Sequence, residues 1–256
     1  MPTLEQLIAD GLTGEKARNL FDIVSDDLID ENHMDKLLKL FEFGMKNKDL
    51  FPNIKLSKSL TNVSQRANEY FIKWINKYVT ERSNPALLKP LKNYGEVDRA
   101  IYERVAVLGA SFDEQYDDLL EAHFIFMSAE NKNGATLEEF LAEVLEDHGW
   151  LWCAGSVFRA IDFCYLEEDN VQLLQVKNKY NTENSSSSAI RVGTPIKKWH
   201  RLGRPKAATG KHIPIPNWNE LISLINAESS LANQLTEDNY LKYIRENSSK
   251  ELEIIK

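Results

Sequence analysis

The chain has 256 residues, 43% of them hydrophobic, with a net charge of −8. That suits one domain, or one domain with an appendage, around an ordinary packed core. No apolar stretch approaches bilayer-spanning length. The start MPTLEQLIADG lacks the basic segment and apolar run of a signal peptide, and five histidines without Cys/His ligand spacing argue against a zinc site. Cys153 and Cys164 sit in apolar, strand-like contexts and read as free buried thiols of a reducing compartment. The expectation is a cytoplasmic protein with no membrane partner.

To about Arg82 the pattern is helical. Leu4, Leu7 and Ile8, then Leu37, Leu38 and Phe41, recur at helical spacing, and Tyr70, Ile72, Trp74 and Ile75 form a mostly apolar segment. Ser83-Asn84-Pro85 breaks the pattern. Further helices are expected over about Val97–Leu108 and from Glu114 to about Met127. None carries a catalytic signature, so residues 1–94 read as a helical N-terminal subdomain, a scaffold or a dimerisation appendage. Residues 95–256 read as the functional domain.

Asn131-Lys132-Asn133-Gly134 reads as a turn. After it, Thr136-Leu137-Glu138-Glu139 matches a capping box, with Glu139 reaching back to the Thr136 amide. Leu137, Phe140, Leu141, Val144 and Leu145 make one apolar stripe, and Gly149 is a helix stop. Strands are expected at Trp150–Trp152, Ser156–Leu166 and Val171–Tyr180, the last two joined by the acidic turn Glu167-Glu168-Asp169-Asn170. A polar, serine-rich loop, Asn181–Ser188, comes next. His212–Pro216 suits an extended edge segment, where proline is tolerated. Helices follow over about Trp218–Asn226 and Glu237–Arg245. The fold class is α/β, a mixed sheet flanked by helices with a helical N-terminal region.

The chemistry sits in IDFCYLEEDNVQLLQVKNK, residues 161–179. Alternate residues of a strand share a face, so Gln175 and Lys177 project together, and an antiparallel partner strand can bring Asp162 beside them. A carboxylate, a side-chain carbonyl and an ammonium on one face can hold Mg²⁺ and a water next to a phosphodiester. Asp162 is the first candidate ligand, and Gln175 would coordinate through its amide oxygen. Lys177 would sit by the attacking water, either accepting its proton or orienting it and stabilising charge. Glu138 is a further candidate, either at or near the metal or simply a solvated helix glutamate. Alone, D-x₁₂-Q-x-K is a weak pattern. It gains force from the glutamate-bearing helix ending in Gly149-Trp150, the paired strands and the basic segment after them.

That basic segment offsets the acidic net charge. Between Val176 and His212 there are nine Lys and Arg residues against Glu183 alone, a local +8 that leaves −16 elsewhere. Segregated charge focuses a field on one surface, as nucleic-acid binding requires. The alternative is a solvated basic face. Other constellations fail. Gly203 and Gly210-Lys211 do not make a phosphate-binding P-loop, His200 lacks a neighbouring nucleophile and suits a surface or DNA contact, and His148 suits the end of a helix dipole.

The Asp162, Gln175 and Lys177 arrangement resembles the PD-(D/E)xK nuclease core, with glutamine where most members place Asp or Glu. Glu138 ahead of an amphipathic helix ending in Gly149-Trp150 fits the same likeness. SAENKNGATLEEFLAEVLEDHGW, FRAIDF, QVKNKYNTENSSSSAIRVGTPIKKWHRLG and the NW of Pro214–Trp218 resemble the SinI-type restriction endonucleases. This likeness covers about Ala122–Asn226 and is most specific from Asn178 to Arg201. It implies a type II restriction enzyme recognising 5′-GGWCC-3′ and cutting after the first G. It also implies a Mg²⁺-dependent homodimer on double-stranded DNA and a cognate cytosine-5 methyltransferase that protects the host. On that reading Arg191, Arg201 and Arg204 are candidates for guanine contacts. Lys197, Lys198 and the hydroxyls of Ser185, Ser186, Ser187 and Ser188 suit phosphates, and Asn178 and Lys179 complete the expected DNA-binding set. Competing readings are a related nuclease for GGNCC or a DNA junction, a DNA-binding protein whose nuclease site has decayed, and a structural protein with a basic patch.

Overall fold

The structure is a computed structural model that describes residues 1–96, 98–107, 116–179, 191–204 and 214–248. Six helices come first: α1 Leu4–Ala9, α2 Gly14–Leu28, α3 Glu31–Lys46, α4 Val63–Ser83, α5 Arg99–Ala106 and α6 Tyr116–Glu146. The first four start at polar caps. The side chains of Thr3, Thr13, Asp30 and Asn62 accept hydrogen bonds from the first free amides, which have no partner within the helix. The rings of Phe21 and Phe41 stack at 4.1 Å, with Phe71 and Trp74 edge-on to Phe21.

Strands β1 Trp150–Trp152, β2 Phe163–Glu167, β3 Asn170–Lys179, β4 Ile196–Gly203 and β5 Ile215–Pro216 follow. They form one sheet in the order β1-β2-β3-β4-β5. Only β3 and β4 run parallel; the other neighbours are antiparallel. The chain closes with α7 Trp218–Leu224, α8 Ser229–Ala232 and α9 Glu237–Asn247. Trp199 of β4 meets Trp218 of α7 at 5.1 Å between ring centres, and Phe140 of α6 meets Trp218 and Tyr240 at 5.8 and 5.4 Å. This aromatic layer seats α6, α7 and α9 against the sheet, giving the mixed sheet with flanking helices that the sequence predicts.

A single apolar core runs from Leu4 to Tyr240. Packing crosses the 94/95 boundary drawn from sequence. The Trp74 indole donates to the Val157 carbonyl at 3.0 Å, and the Phe158 ring lies against Phe43 and Phe51. At Gly155, φ is +65° and a Cβ would fall 2.3 Å from the Lys77 carbonyl oxygen. Only glycine permits both this conformation and this approach.

Two expectations need correction. Helix α6 is one continuous helix, so Asn131–Gly134 is not a turn and Thr136 caps nothing. Thr136 Oγ1 donates back to the Lys132 carbonyl, and Glu139 accepts from the Ala86 amide at 2.6 Å instead of from Thr136. A helical glycine costs only about 1 kcal/mol against alanine. The buried stripe from Leu137 to Leu145 and the bonds from Lys132 to the Lys89 and Pro90 carbonyls outweigh that. The expected strand from Ser156 is also shorter than predicted. Ala154–Ser156 form a 3-10 turn, Ser156 and Ala160 have positive φ, and β2 begins at Phe163. The chain leaves the sheet because Val157 and Phe158 are drawn into the helical core. Arg159 consequently lies in this excursion and not on a strand, its amide donating to the Leu50 carbonyl. The acidic hairpin turn is as expected, with Glu167 paired to Asn170 across Glu168-Asp169.

Candidate active site

Asp162 precedes β2 by one residue but keeps the ladder. Its amide donates to the Leu174 carbonyl, and its carbonyl accepts from the Cys153 amide, both at 2.9 Å. Continuing the register Phe163↔Leu174 by one step places Asp162 opposite Gln175. Asp162 Oδ2 accepts from the Val176 amide at 2.7 Å, which fixes the carboxylate over β3. Gln175 and Lys177 alternate onto one face of β3 and lie beside Lys198 and His200 of β4. The structure thus brings Asp162, Gln175 and Lys177 together.

Glu138 arrives from the middle of α6, not from a first turn. It is half-buried, and its Oε2 accepts from the Trp152 indole at 3.3 Å. Burial and the Asp162 charge push its carboxyl well above the usual carboxylate range, against a pull from Lys177. Burial likewise raises the Asp162 carboxyl, opposed by the Lys177 ammonium and the Val176 N–H. Two desolvated carboxylates, one of them raised further by the charge of the other, are a place where a cation is favourable.

Gln175 sharpens this. Its side chain is 1% exposed, and its Oε1 has no hydrogen-bond partner among the described residues. A buried amide oxygen left unsatisfied costs about 1–3 kcal/mol, and native structures leave few such atoms without a purpose. An amide oxygen facing a carboxylate across the strand pair is an all-oxygen donor set. It suits a hard divalent ion such as Mg²⁺ and not a soft metal. No group of three or more His, Cys, Asp or Glu that could hold a metal occurs among the described residues. The site is therefore one charge poorer than a three-carboxylate site.

The basic segment divides by strand alternation. Lys197, Trp199 and Arg201 share the face of Leu174 and Val176; Lys198 and His200 share that of Gln175 and Lys177. Arg201 is 8% exposed. Its Nε donates to Asn178 Oδ1 at 2.8 Å, its Nη1 pairs with Glu237, and its guanidinium lies over the Tyr240 ring at 4.9 Å. Lys197 donates to Gln172 Oε1 and the Leu224 carbonyl at 3.1 and 2.7 Å. Arg201, Asn178 and Lys197 are thus engaged within the fold. Lys179 pairs with Glu130 of α6. Lys198 and Arg191 are half-buried and Arg204 is exposed. Ser185–Ser188 lie outside the described residues.

The model of the family described as SinI restriction endonuclease matches residues 103–250, more than half of the chain. The chain belongs to the SinI restriction endonuclease family. This family member is 34% identical to the type II restriction enzyme SinI of Salmonella infantis over 216 residues, covering 72% of this chain and 89% of that protein. It is 40% identical to the type II restriction enzyme Eco47I of Escherichia coli over 144 residues, 54% of this chain and 57% of that protein. The similarity extends beyond the segment 122–226 that the motifs mark. As a SinI-family endonuclease the chain is an enzyme acting on DNA. No described helix is long and apolar enough to cross a membrane.

Sequence reasoning missed Trp152, whose indole holds Glu138, and the placement of His200 beside Lys177. Neither carries a local motif. Both follow from how α6 crosses β1 and how β4 registers with β3. Cys153 and Cys164 are free and buried, as expected, with their sulfurs 3.8 Å apart.

Proposed function

We propose that this chain is a type II restriction endonuclease with a PD-(D/E)xK-type centre in which Asp162, Gln175 and Glu138 hold Mg²⁺ and Lys177 faces the scissile phosphate. Family membership carries site-specific cleavage of double-stranded DNA. The observation that carries the centre is the unsatisfied, buried Gln175 Oε1 across the strand pair from Asp162, on the face that also presents Lys177.

Bound Mg²⁺ supplies an activated water and charge neutralisation on the phosphate. The chain's own groups do the rest. Asp162, fixed by the Val176 N–H, gives an anionic oxygen at a set position. Gln175 adds a neutral oxygen that costs no further charge repulsion. Glu138 brings the second negative charge from α6, compensating for glutamine in place of a third carboxylate. Lys177 orients the water and stabilises charge developing on the phosphate. Lys198 and Arg204 suit the DNA backbone, with Arg191 a candidate for guanine.

The expected target is GGWCC, a palindrome that a two-fold symmetric homodimer reads, with a cognate cytosine-5 methyltransferase shielding host sites. The test is plasmid cleavage in Mg²⁺ by wild type and Lys177→Ala, with sequencing of the fragment ends. Discrete wild-type ends at GGWCC, missing in the variant, support the proposal. Ends at another sequence overturn the target, and equal cleavage by Lys177→Ala overturns the centre.

A further inference from the structure

Trp152 is 4% exposed and bonded on three sides. Its backbone amide donates to Glu146 Oε1 at 3.3 Å, and its indole N–H donates to Glu138 Oε2 at 3.3 Å. The guanidinium of Arg82, from α4, stacks over its ring at 5.3 Å and over the Tyr78 ring at 4.7 Å. Arg82 is itself held by a two-point ion pair to Glu146, which Lys36 of α3 also engages at 2.6 Å. A continuous line of contacts therefore runs from the N-terminal helices through Glu146, Arg82 and Trp152 to Glu138.

Each link limits a freedom that matters at the metal. A glutamate has three side-chain torsions, and an anionic oxygen placed loosely binds a small hard ion poorly. The indole N–H is a donor only, so it selects one carboxylate oxygen and leaves the other to turn elsewhere. The planar guanidinium fixes the indole plane through cation–π contact. Groups that orient metal ligands in this way affect metal affinity strongly.

We infer that Trp152, clamped by Arg82, is a positioning residue that sets the Glu138 carboxylate for the divalent ion, and that α3 and α4 thereby form part of the catalytic support. The inference rests on the metal-site reading above. The Trp152 indole N–H is spent on Glu138, so its effect passes through that carboxylate.

The experiment is Ca²⁺ titration calorimetry on the full chain, paired with the Mg²⁺ dependence of DNA cleavage. Trp152→Phe keeps an aromatic ring and removes the N–H. Its Ca²⁺ dissociation constant should rise about tenfold, with a parallel rise in half-saturating Mg²⁺. The cleavage rate at saturating Mg²⁺ should return to within about twofold of wild type, as expected when ion binding alone is weakened. Arg82→Lys keeps the charge facing Glu146 and removes the stacking plane. It should weaken Ca²⁺ binding by roughly threefold, and it decides the matter if Trp152→Phe does not fold. Wild-type Ca²⁺ affinity in a folded Trp152→Phe, or in Arg82→Lys where Trp152→Phe is unfolded, overturns the inference alone, provided Glu138→Gln binds Ca²⁺ more weakly. Unchanged Ca²⁺ affinity in Glu138→Gln overturns the metal-site reading and this inference with it.

Discussion

The two faces of the β3–β4 strand pair differ in how one buried polar side chain on each is held, Arg201 on one and Gln175 on the other. On one face Arg201 is enclosed by Asn178, Glu237 and Tyr240, and Lys197 is spent on Gln172 and a helix-terminal carbonyl. On the other, Gln175 is buried with a bare oxygen, opposite a carboxylate that burial makes reluctant to ionise. A fold that encloses Arg201 at one face and keeps one buried amide oxygen without a partner at the other separates scaffold from chemistry. The lesson is that a run of charge in sequence must be divided by strand alternation before it is read as a binding surface.

The largest effect expected from breaking this contrast is at Asp162. Asp162→Asn keeps an acceptor for the Val176 amide and removes the charge. Single-turnover cleavage should fall roughly 10³-fold while gel-shift binding to the target duplex persists; retained cleavage would merge the two faces into one structural role. Arg201→Met should act oppositely. It strands Glu237 and Asn178, and urea unfolding should report a loss of about 2–3 kcal/mol, discounted from fully buried pairs because Glu237 is partly exposed. Sequence preference of the folded fraction should not change. A stable Arg201→Met with relaxed preference would return Arg201 to the DNA surface.

Gln175→Glu should sharpen the contrast by a smaller amount. A third carboxylate should lower half-saturating Mg²⁺ several-fold, since ligand charge count tunes such sites. In chelator it should lower stability by about 1–2 kcal/mol, because one more charge is buried beside the Asp162 carboxylate. Smallest is the pH response of the metal-free protein. The folded-state values of Glu138 and Asp162 lie above their ordinary values, near 4.5 and 3.8. Their contribution is thus fully present below those ordinary values and is lost as pH rises through the raised folded values. Thermal melting in chelator should show the wild-type midpoint falling relative to that of Glu138→Gln as pH rises above about 4, since the carboxylates with lowered values, such as Glu146, act equally in both proteins. A wild-type midpoint that rises relative to Glu138→Gln in that window would contradict the assigned burial.

Much of this site was legible in sequence. The two-residue hairpin turn fixes which residues of β2 and β3 oppose each other, and strand alternation fixes which share a face, so Asp162, Gln175 and Lys177 could be grouped from local rules. Glu138 was legible only as a candidate, because its meeting with Trp152 depends on α6 passing β1. The continuity of α6 through Gly134 was not legible, since local turn signals there are overruled by contacts with Lys89, Pro90 and the buried stripe from Leu137. Long-range packing also decides the early exit of residues 154–161 from the sheet, where Phe158 serves the core of the N-terminal helices. The engagement of Arg201 and Lys197 within the fold was not legible, because Glu237 and the Leu224 carbonyl reach them from helices distant in sequence.

The most direct test of the central claim is Ca²⁺-dependent thermal melting of wild type beside Gln175→Met, an unbranched apolar replacement of similar volume. If the bare Oε1 is kept for an ion, the variant without metal should be at least as stable as wild type and should lose most of the rise in melting temperature that Ca²⁺ confers by binding the folded state. A Gln175→Met protein that keeps the full Ca²⁺-induced rise would show that this oxygen serves no metal, and the account of the site would fail.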